Sequence, residues 1–252
     1  MTFFDLNGRA ALVTGASRGL GAAMARALAG AGADVVLHAS RTEPADVAAS
    51  IARDCGVATM CVVADLEDRA AVDTVVPRAL DRFGRLDILV NNAGIIRRAD
   101  AIVHSDDDWD AVLEINLSSV FRLCREAGRH MLARGTGKII NIASLLSFQG
   151  GVRVPAYAAA KGGVAQLTKE LANEWAGRGV NVNAIAPGYM RTDNTRALME
   201  DPVRSRQILE RIPANRWGEP QDLAGAVVFL ASPASDYVHG HVLVVDGGWM
   251  GR

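Results

Sequence analysis

Cysteine is scarce in this 252-residue chain, and its three copies, Cys55, Cys61 and Cys124, have no metal-ligand spacing. An odd, unpatterned set of thiols reads as free cysteines in a reducing compartment rather than a disulfide framework. Charge of one sign is also missing: 27 basic against 28 acidic residues leave a formal net charge of −1. That balance gives no electrostatic reason to expect a nucleic acid or an anionic membrane as partner. No apolar run approaches the ~18 residues that a spanning helix requires. The opening MTFFDLNGRAALVTG sets Asp5, Asn7 and Arg9 ahead of any apolar stretch, unlike a signal peptide. A cytoplasmic location follows as the expectation. The histidines, His38, His104, His130, His239 and His241, share no ligand spacing, so a metal centre is not expected. There is no repeat, low-complexity tract or interdomain linker, and residues 1–252 read as one domain.

Half of the residues are hydrophobic, enough at this length to bury a large core. Short β-rich runs alternate with longer helical patterns, which predicts an α/β fold: a doubly wound parallel sheet with helices on both faces. Strands are expected at 10–14, 34–39, 58–63, 86–91, 138–142, 181–185 and 241–245. Helices are expected at about 20–30, 44–54, 68–82, 107–133, 156–177 and 221–231. LDILV and KIINIA do not alternate, as befits strands buried on both faces. The interval from Pro187 to Glu219 has no clear structure, and its length suits a lid or binding loop over about 188–216.

The segment LVTGASRGLGAAMARAL passes from a strand through Gly15, Gly19 and Gly21 into a helix. Glycine allows the tight turn and lets the backbone approach a pyrophosphate, where free N–H groups and the helix dipole favour an anion. Ser17, Arg18 and Leu20 complete this turn. An acidic residue at the end of the second strand would bind the ribose hydroxyls of NAD. Here DVVLHASRT offers Ala39 or Ser40, with Arg41 next and Arg18 nearby. Forked guanidinium donors and a hydroxyl suit a 2′-phosphate, so NADP(H) is the preferred cofactor, with NAD(H) as the second. Asp65, beside Leu66 at the end of the third strand, is placed to accept from the adenine amino group or to cap the next helix. Asn91, Asn92, Ala93 and Gly94 end the fourth strand, where small and polar residues suit the adenine ribose.

YAAAK, Tyr157 to Lys161, opens a predicted helix, and a spacing of four puts both side chains on one face. Ser144 follows the strand KIINIA, at the end of the sheet where ligands bind. Together, TGASRGLG, NNAG, Asn116 in EINLSS, Ser144 with YAAAK, and IAPGYMRT resemble the short-chain dehydrogenase/reductase family over nearly the whole chain. The resemblance implies a seven-stranded sheet, a catalytic tetrad of Asn116, Ser144, Tyr157 and Lys161, and a homotetramer with contacts on helices 107–133 and 156–177. The chemistry is coherent. A phenol ordinarily titrates near ~10, a neighbouring ammonium favours its phenolate, and a hydroxyl can orient a carbonyl oxygen. By the same resemblance Asn116 holds a water that relays the proton from Lys161. Pro187 and Gly188 end the sixth strand, and Thr192 is implied to bind the nicotinamide carboxamide or a phosphate.

SLLSFQGGVRVPAYAAAK, RIPANRWGEPQDLAGAVVFLASPASDYVHG and VDGGW are similar to the sugar-acid branch of that family, the gluconate and deoxygluconate dehydrogenases. A hexonic acid calls for a fixed cation. Arg97, Arg98 and Arg153 are the candidates, with Arg153 first because it lies between Ser144 and Tyr157. Gln149 and Asn194 are candidates for hydroxyl binding, and Ser144 for the reacting oxygen. Met190, Leu198, Met199 and Ile208 have the character to cover a pocket, and Trp249 and Met250 to pack at an interface. Two rivals stand beside the sugar-acid dehydrogenase: a 3-oxoacyl carrier-protein reductase and a non-enzymatic dinucleotide sensor on the same fold.

Overall fold

The computed structural model describes residues 3–252. Seven parallel strands form one sheet in the order β3-β2-β1-β4-β5-β6-β7. They are β1 Ala10–Val13, β2 Asp34–Ala39, β3 Thr59–Val63, β4 Ile88–Asn91, β5 Gly137–Ile142, β6 Val180–Pro187 and β7 Val242–Val245. The order reverses between β1 and β4, and a crevice opens there at the carboxyl ends of the strands. Helices α1 Gly19–Gly30, α2 Ala45–Cys55, α3 Arg69–Phe83, α4 Asp106–Leu113, α5 Ser119–Arg134 and α6 Pro155–Trp175 follow in turn, and α7 Arg196–Glu200, α8 Pro202–Arg211 and α9 Ala224–Ala231 complete the set.

Residues of α1, α2 and α9 pack on one face of the sheet around Met24, Leu28, Ile51 and Val227. Residues of α3, α5 and α6 cover the other face around Val75, Leu123, Met131, Val164 and Trp175. The non-alternating strands β1, β4 and β6 are buried at every position, as expected for a sheet covered on both sides. Among the described residues, no helix is long and apolar enough to cross a membrane.

Two expectations need correction. The predicted helix over 107–133 is divided by a π-helical turn at Glu114–Ser118 between α4 and α5. The extra residue rotates Asn116 inward, where its amide reaches the backbone of Ile95. The interval 187–219 carries α7 and α8. Its prolines read as loop signals, yet Pro202 is the first residue of α8 and Asp201 caps it through the amides of Val203 and Arg204. Proline at that position costs no helical hydrogen bond.

A buried polar chain fixes α6 against the sheet. Asn91 Nδ2 donates to Asn141 Oδ1 at 2.9 Å, and Asn141 Nδ2 to Thr168 Oγ1 at 3.0 Å. Asn91 therefore faces the core rather than a ligand, and it also donates to Cys124 Sγ at 3.2 Å. Cys124 is fully buried, and burial pushes its thiol up to about 12, which leaves it unreactive. The variant Thr168→Val keeps the shape of the side chain and strands the Asn141 amide. It is expected to lower unfolding free energy by about 1–3 kcal/mol. A denaturant midpoint equal to that of the parent contradicts this network.

Candidate active site

One cavity of about 1080 Å³ runs along the carboxyl ends of the strands. Its first wall is the glycine turn. Gly15 has φ +64°, a left-handed conformation that favours glycine. Gly21 is required by contact: a Cβ there would lie 2.2 Å from Gly15 O and 2.5 Å from Asn92 Nδ2. Asn92 holds this seam by donating to Thr14 O at 2.8 Å and Gly15 O at 3.2 Å. α1 begins without a side-chain cap and with no acidic residue in its first turn, whereas α3, α4 and α8 are capped by Asp68, Ser105 and Asp201. Its first amide groups are thus left for an anion in the cavity.

The sequence reading did not single out His38 for this turn. His38 is buried on β2; its Nε2 sits 2.9 Å from Ala64 O, and its Nδ1 accepts from Gly15 N at 3.3 Å. These contacts require the neutral ring protonated on Nε2, and burial lowers its pKa accordingly. The nearest available signal was a histidine in an otherwise apolar strand that leads to the ribose end of the crevice.

Gly15, Ser17, Arg18, Gly19, Leu20, Gly21, Ser40, Asp65, Leu66, Asn92, Ala93, Gly94, Pro187, Gly188 and Thr192 all line the cavity. Arg41 is exposed beside Ser40 and lies outside the lining. Arg18 reaches the cavity but is ion-paired with Asp193 at 2.7 Å. Asp65 accepts from Glu67 N at 3.1 Å and does not cap α3; that position belongs to Asp68.

The second wall is the start of α6. Tyr157 and Lys161 share its inner face, with Lys161 Nζ 5.7 Å from the Tyr157 ring centroid. Lys161 is almost fully buried and donates to Ile142 O at 2.5 Å. Burial lowers its pKa to about 8. Burial also raises that of Tyr157, opposed by a hydrogen bond with Ser144 and by the charge of Arg98. Desolvation therefore outweighs the opposing hydrogen bond and positive charge at the phenol. Ser144 also accepts from Leu146 N at 3.2 Å, at the head of a tight turn following β5. Ser147, which sequence reasoning passed over, locks that turn to α6 by donating to Lys161 O at 2.6 Å.

Asn116 behaves differently from the expectation. Its Oδ1 accepts from Ile95 N at 2.8 Å and its Nδ2 donates to Ile95 O at 2.9 Å. The side chain is spent on the segment after β4 and lies outside the cavity lining.

The substrate candidates separate clearly. Arg97 pairs with Asp108 at 3.3 Å and does not line the cavity. Arg153 lines it but pairs with Asp100 at 3.1 Å and has φ +64°. Gln149 and Asn194 line it, and Asn194 O accepts from Arg98 at 3.0 Å. Trp249 Nε1 donates to Gln149 Oε1 at 3.4 Å, which leaves the Gln149 amide donor toward the cavity. Trp249 is buried within its own chain, against Tyr189 at 4.6 Å between ring centroids, while Met250 is partly exposed. Leu198, Met199 and Ile208 join Tyr189, Trp217 and Trp249 in one apolar cluster, and Met190 packs into the main core.

Set against known proteins, residues 15–250 match the family model described as enoyl-(acyl carrier protein) reductase. A crystal structure of a short-chain type dehydrogenase/reductase from Mycobacterium marinum superposes with a TM-score of 0.92 at 33% identity, covering 99% of this chain and 98% of that one. The chain belongs to the short-chain dehydrogenase/reductase family. Within the family it is 51% identical to the 2-dehydro-3-deoxy-D-gluconate 5-dehydrogenase of Escherichia coli (strain K12), over 100% of this chain and 99% of the relative. It is 44% identical to a gluconate 5-dehydrogenase from Burkholderia cenocepacia solved with NADP and tartrate, at TM-score 0.93, covering 99% of this chain and 98% of that one. In this short-chain dehydrogenase/reductase the variant His38→Leu removes the acceptor for Gly15 N and the partner of Ala64 O. It is expected to raise KM for the dinucleotide about tenfold, from the ~1–3 kcal/mol cost of stranding buried polar groups. An unchanged KM in steady-state kinetics contradicts that role.

Proposed function

We propose that this protein is a dehydrogenase of hexonic acids, acting on the secondary alcohol or ketone of an acid such as gluconate, 2-deoxygluconate or 2-dehydro-3-deoxygluconate, with NADP(H) preferred over NAD(H). The observation that carries this reading is the Tyr157 phenol, facing the cavity beside Ser144 with the Lys161 ammonium behind it on the same helix. The uncapped start of α1 and the glycine turn fit a pyrophosphate. Ser40, just past the end of β2 in place of an acidic residue, admits a 2′-phosphate, and of the two arginines Arg18 lines the cavity. When bound, NADP(H) would supply or accept the hydride. Everything else falls to the side chains.

In ketone reduction Ser144 donates to the carbonyl oxygen and holds it beside the phenol. Tyr157 then gives that oxygen its proton as negative charge develops. Lys161, charged below about 8 and 5.7 Å from the phenol ring centroid, favours the resulting phenolate and serves as the proton store. Alcohol oxidation runs the same transfers backwards. Asn116 serves by fixing Ile95 at the cavity wall. The segment 188–216 serves as a lid whose apolar cluster shields the site from water. The polar lining by Gln149, Asn194 and Arg98 suits a hydroxy acid better than the acyl chain of a carrier-protein thioester. The proposed assembly is a homotetramer through α5 and α6, where Phe121 is partly exposed on α5, and the proposed location is the cytoplasm.

Assayed with gluconate and NADP⁺, the parent turns over, and Tyr157→Phe loses at least about a hundredfold in kcat. Retention of more than about a tenth of parental turnover contradicts the assignment. The reductive reaction also has a stated pH dependence. Lys161 holds its proton only below about 8, so kcat for ketone reduction falls as pH rises through that value. A profile that stays level to about pH 10 excludes the ammonium as proton store.

A further inference from the structure

Five arginines line the cavity: Arg18, Arg98, Arg153, Arg204 and Arg211. Arg18 and Arg153 are neutralised by Asp193 and Asp100. Among the described residues, no carboxylate lies within ion-pair distance of Arg98, Arg204 or Arg211. The cavity's own acids are already engaged. Asp193 takes Arg18 and Arg196, and Asp201 accepts the amides that start α8. The Arg211 guanidinium lies over the Trp249 ring, its Cζ 4.0 Å from the centroid, a cation–π contact at the cavity wall. The charges of Arg204, Arg211 and Arg98 all act on the Tyr189 phenol, whereas Arg98 alone acts on Tyr157. Packing separates the two: Arg211 sits against Trp249, which clusters with Tyr189, Ile208 and Trp217, whereas Tyr157 packs in a different cluster with Val112, Ala156 and Ala160.

We propose that Arg204 and Arg211 of α8 bind the substrate's carboxylate, so that the acid is held by the lid with its reacting carbon several bonds away, at Tyr157. This rests on the hexonic-acid reading and refines it. An acid held in this way is oxidised at a carbon remote from its carboxylate and not at the adjacent hydroxyl. Closing α8 on the anion would also couple binding to exclusion of water, because Ile208 and Leu209 on the same helix belong to the apolar cluster. Arg153, the sequence-based choice for this task, has its guanidinium already occupied.

The test compares gluconate with neutral gluconamide in the parent, Arg204→Gln, Arg211→Gln and Arg211→Lys, each with NADP⁺. The glutamine variants are expected to raise KM for gluconate about tenfold or more, with the loss in KM rather than kcat and a smaller change for gluconamide. Arg211→Lys keeps the charge and should recover part of the loss. Equal changes for acid and amide overturn the proposal, as does a product whose ketone is adjacent to the carboxylate by NMR. A parent that oxidises neither compound overturns gluconate as the substrate instead. The carboxylate site is then judged by tryptophan fluorescence during gluconate titration of the NADP⁺-loaded protein. Binding weakened about tenfold in the Arg204→Gln/Arg211→Gln variant supports it, and unchanged binding overturns it.

Discussion

A single buried contact organises this molecule: the ammonium of Lys161 donating to the carbonyl of Ile142 at 2.5 Å. It joins the last residue of β5 to the second turn of α6. A charge this deep in the protein is costly unless it is hydrogen-bonded, and the cost appears as a pKa lowered to about 8. The contact is supported from both sides. Ser147 ties the turn after β5 to the carbonyl of Lys161, and the Asn91–Asn141–Thr168 chain pins the next turns of the helix. With α6 fixed in this way, Tyr157, one turn earlier, can occupy only the rim of the crevice. The proposed proton transfer depends on that rigidity, because a phenol transfers a proton efficiently only within hydrogen-bond reach of its partner.

The rest of the cavity is built largely from backbone, and side chains serve chiefly to hold that backbone in place. His38 and Asn92 brace the glycine turn, and Asn116 braces Ile95 across the strand end. Each of these polar side chains is consumed by main-chain groups and has little capacity left for a ligand. They matter to a bound molecule through the position of the amides they hold. The proposed lid is different in kind. Residues of its two short helices pack with Tyr189, Trp217 and Trp249, and α8 carries Arg204 and Arg211. Arg204 donates to Gln207 at 2.9 Å and Arg211 lies over Trp249, but neither has a carboxylate partner, and a bound carboxylate would supply one, a reason for α8 to settle only when the acid is present.

Much of this was legible in the sequence, and the parts that were not have identifiable causes. The strands were readable because burial on both faces gives continuous apolar runs, and the glycine turn because only glycine tolerates the contacts of Gly21. Tyr157, Lys161 and Ser144 were readable from helical spacing and strand ends, and the cavity brings them together. Three things were hidden. The π-helical turn at Asn116 depends on a bond to Ile95, 21 positions away, and no local pattern announces it. The helices of the interval 188–216 were masked by prolines, of which Pro202 in fact begins α8. Arginine pairing was also invisible, since Arg97 and Arg153 differ from Arg204 and Arg211 only in having Asp108 and Asp100 beside them in space.

The central claim is that the Tyr157 phenol, held by a lysine-anchored helix, is the group that exchanges a proton with the substrate oxygen. A crystal structure of the protein with NADP⁺ and gluconate measures this directly. The account predicts the phenol oxygen at about 2.6–3.2 Å from the hydroxyl to be oxidised, with Ser144 on the same oxygen and Lys161 still on Ile142. A phenol turned away from the sugar acid, with another protein group in contact with the reacting hydroxyl, would contradict it.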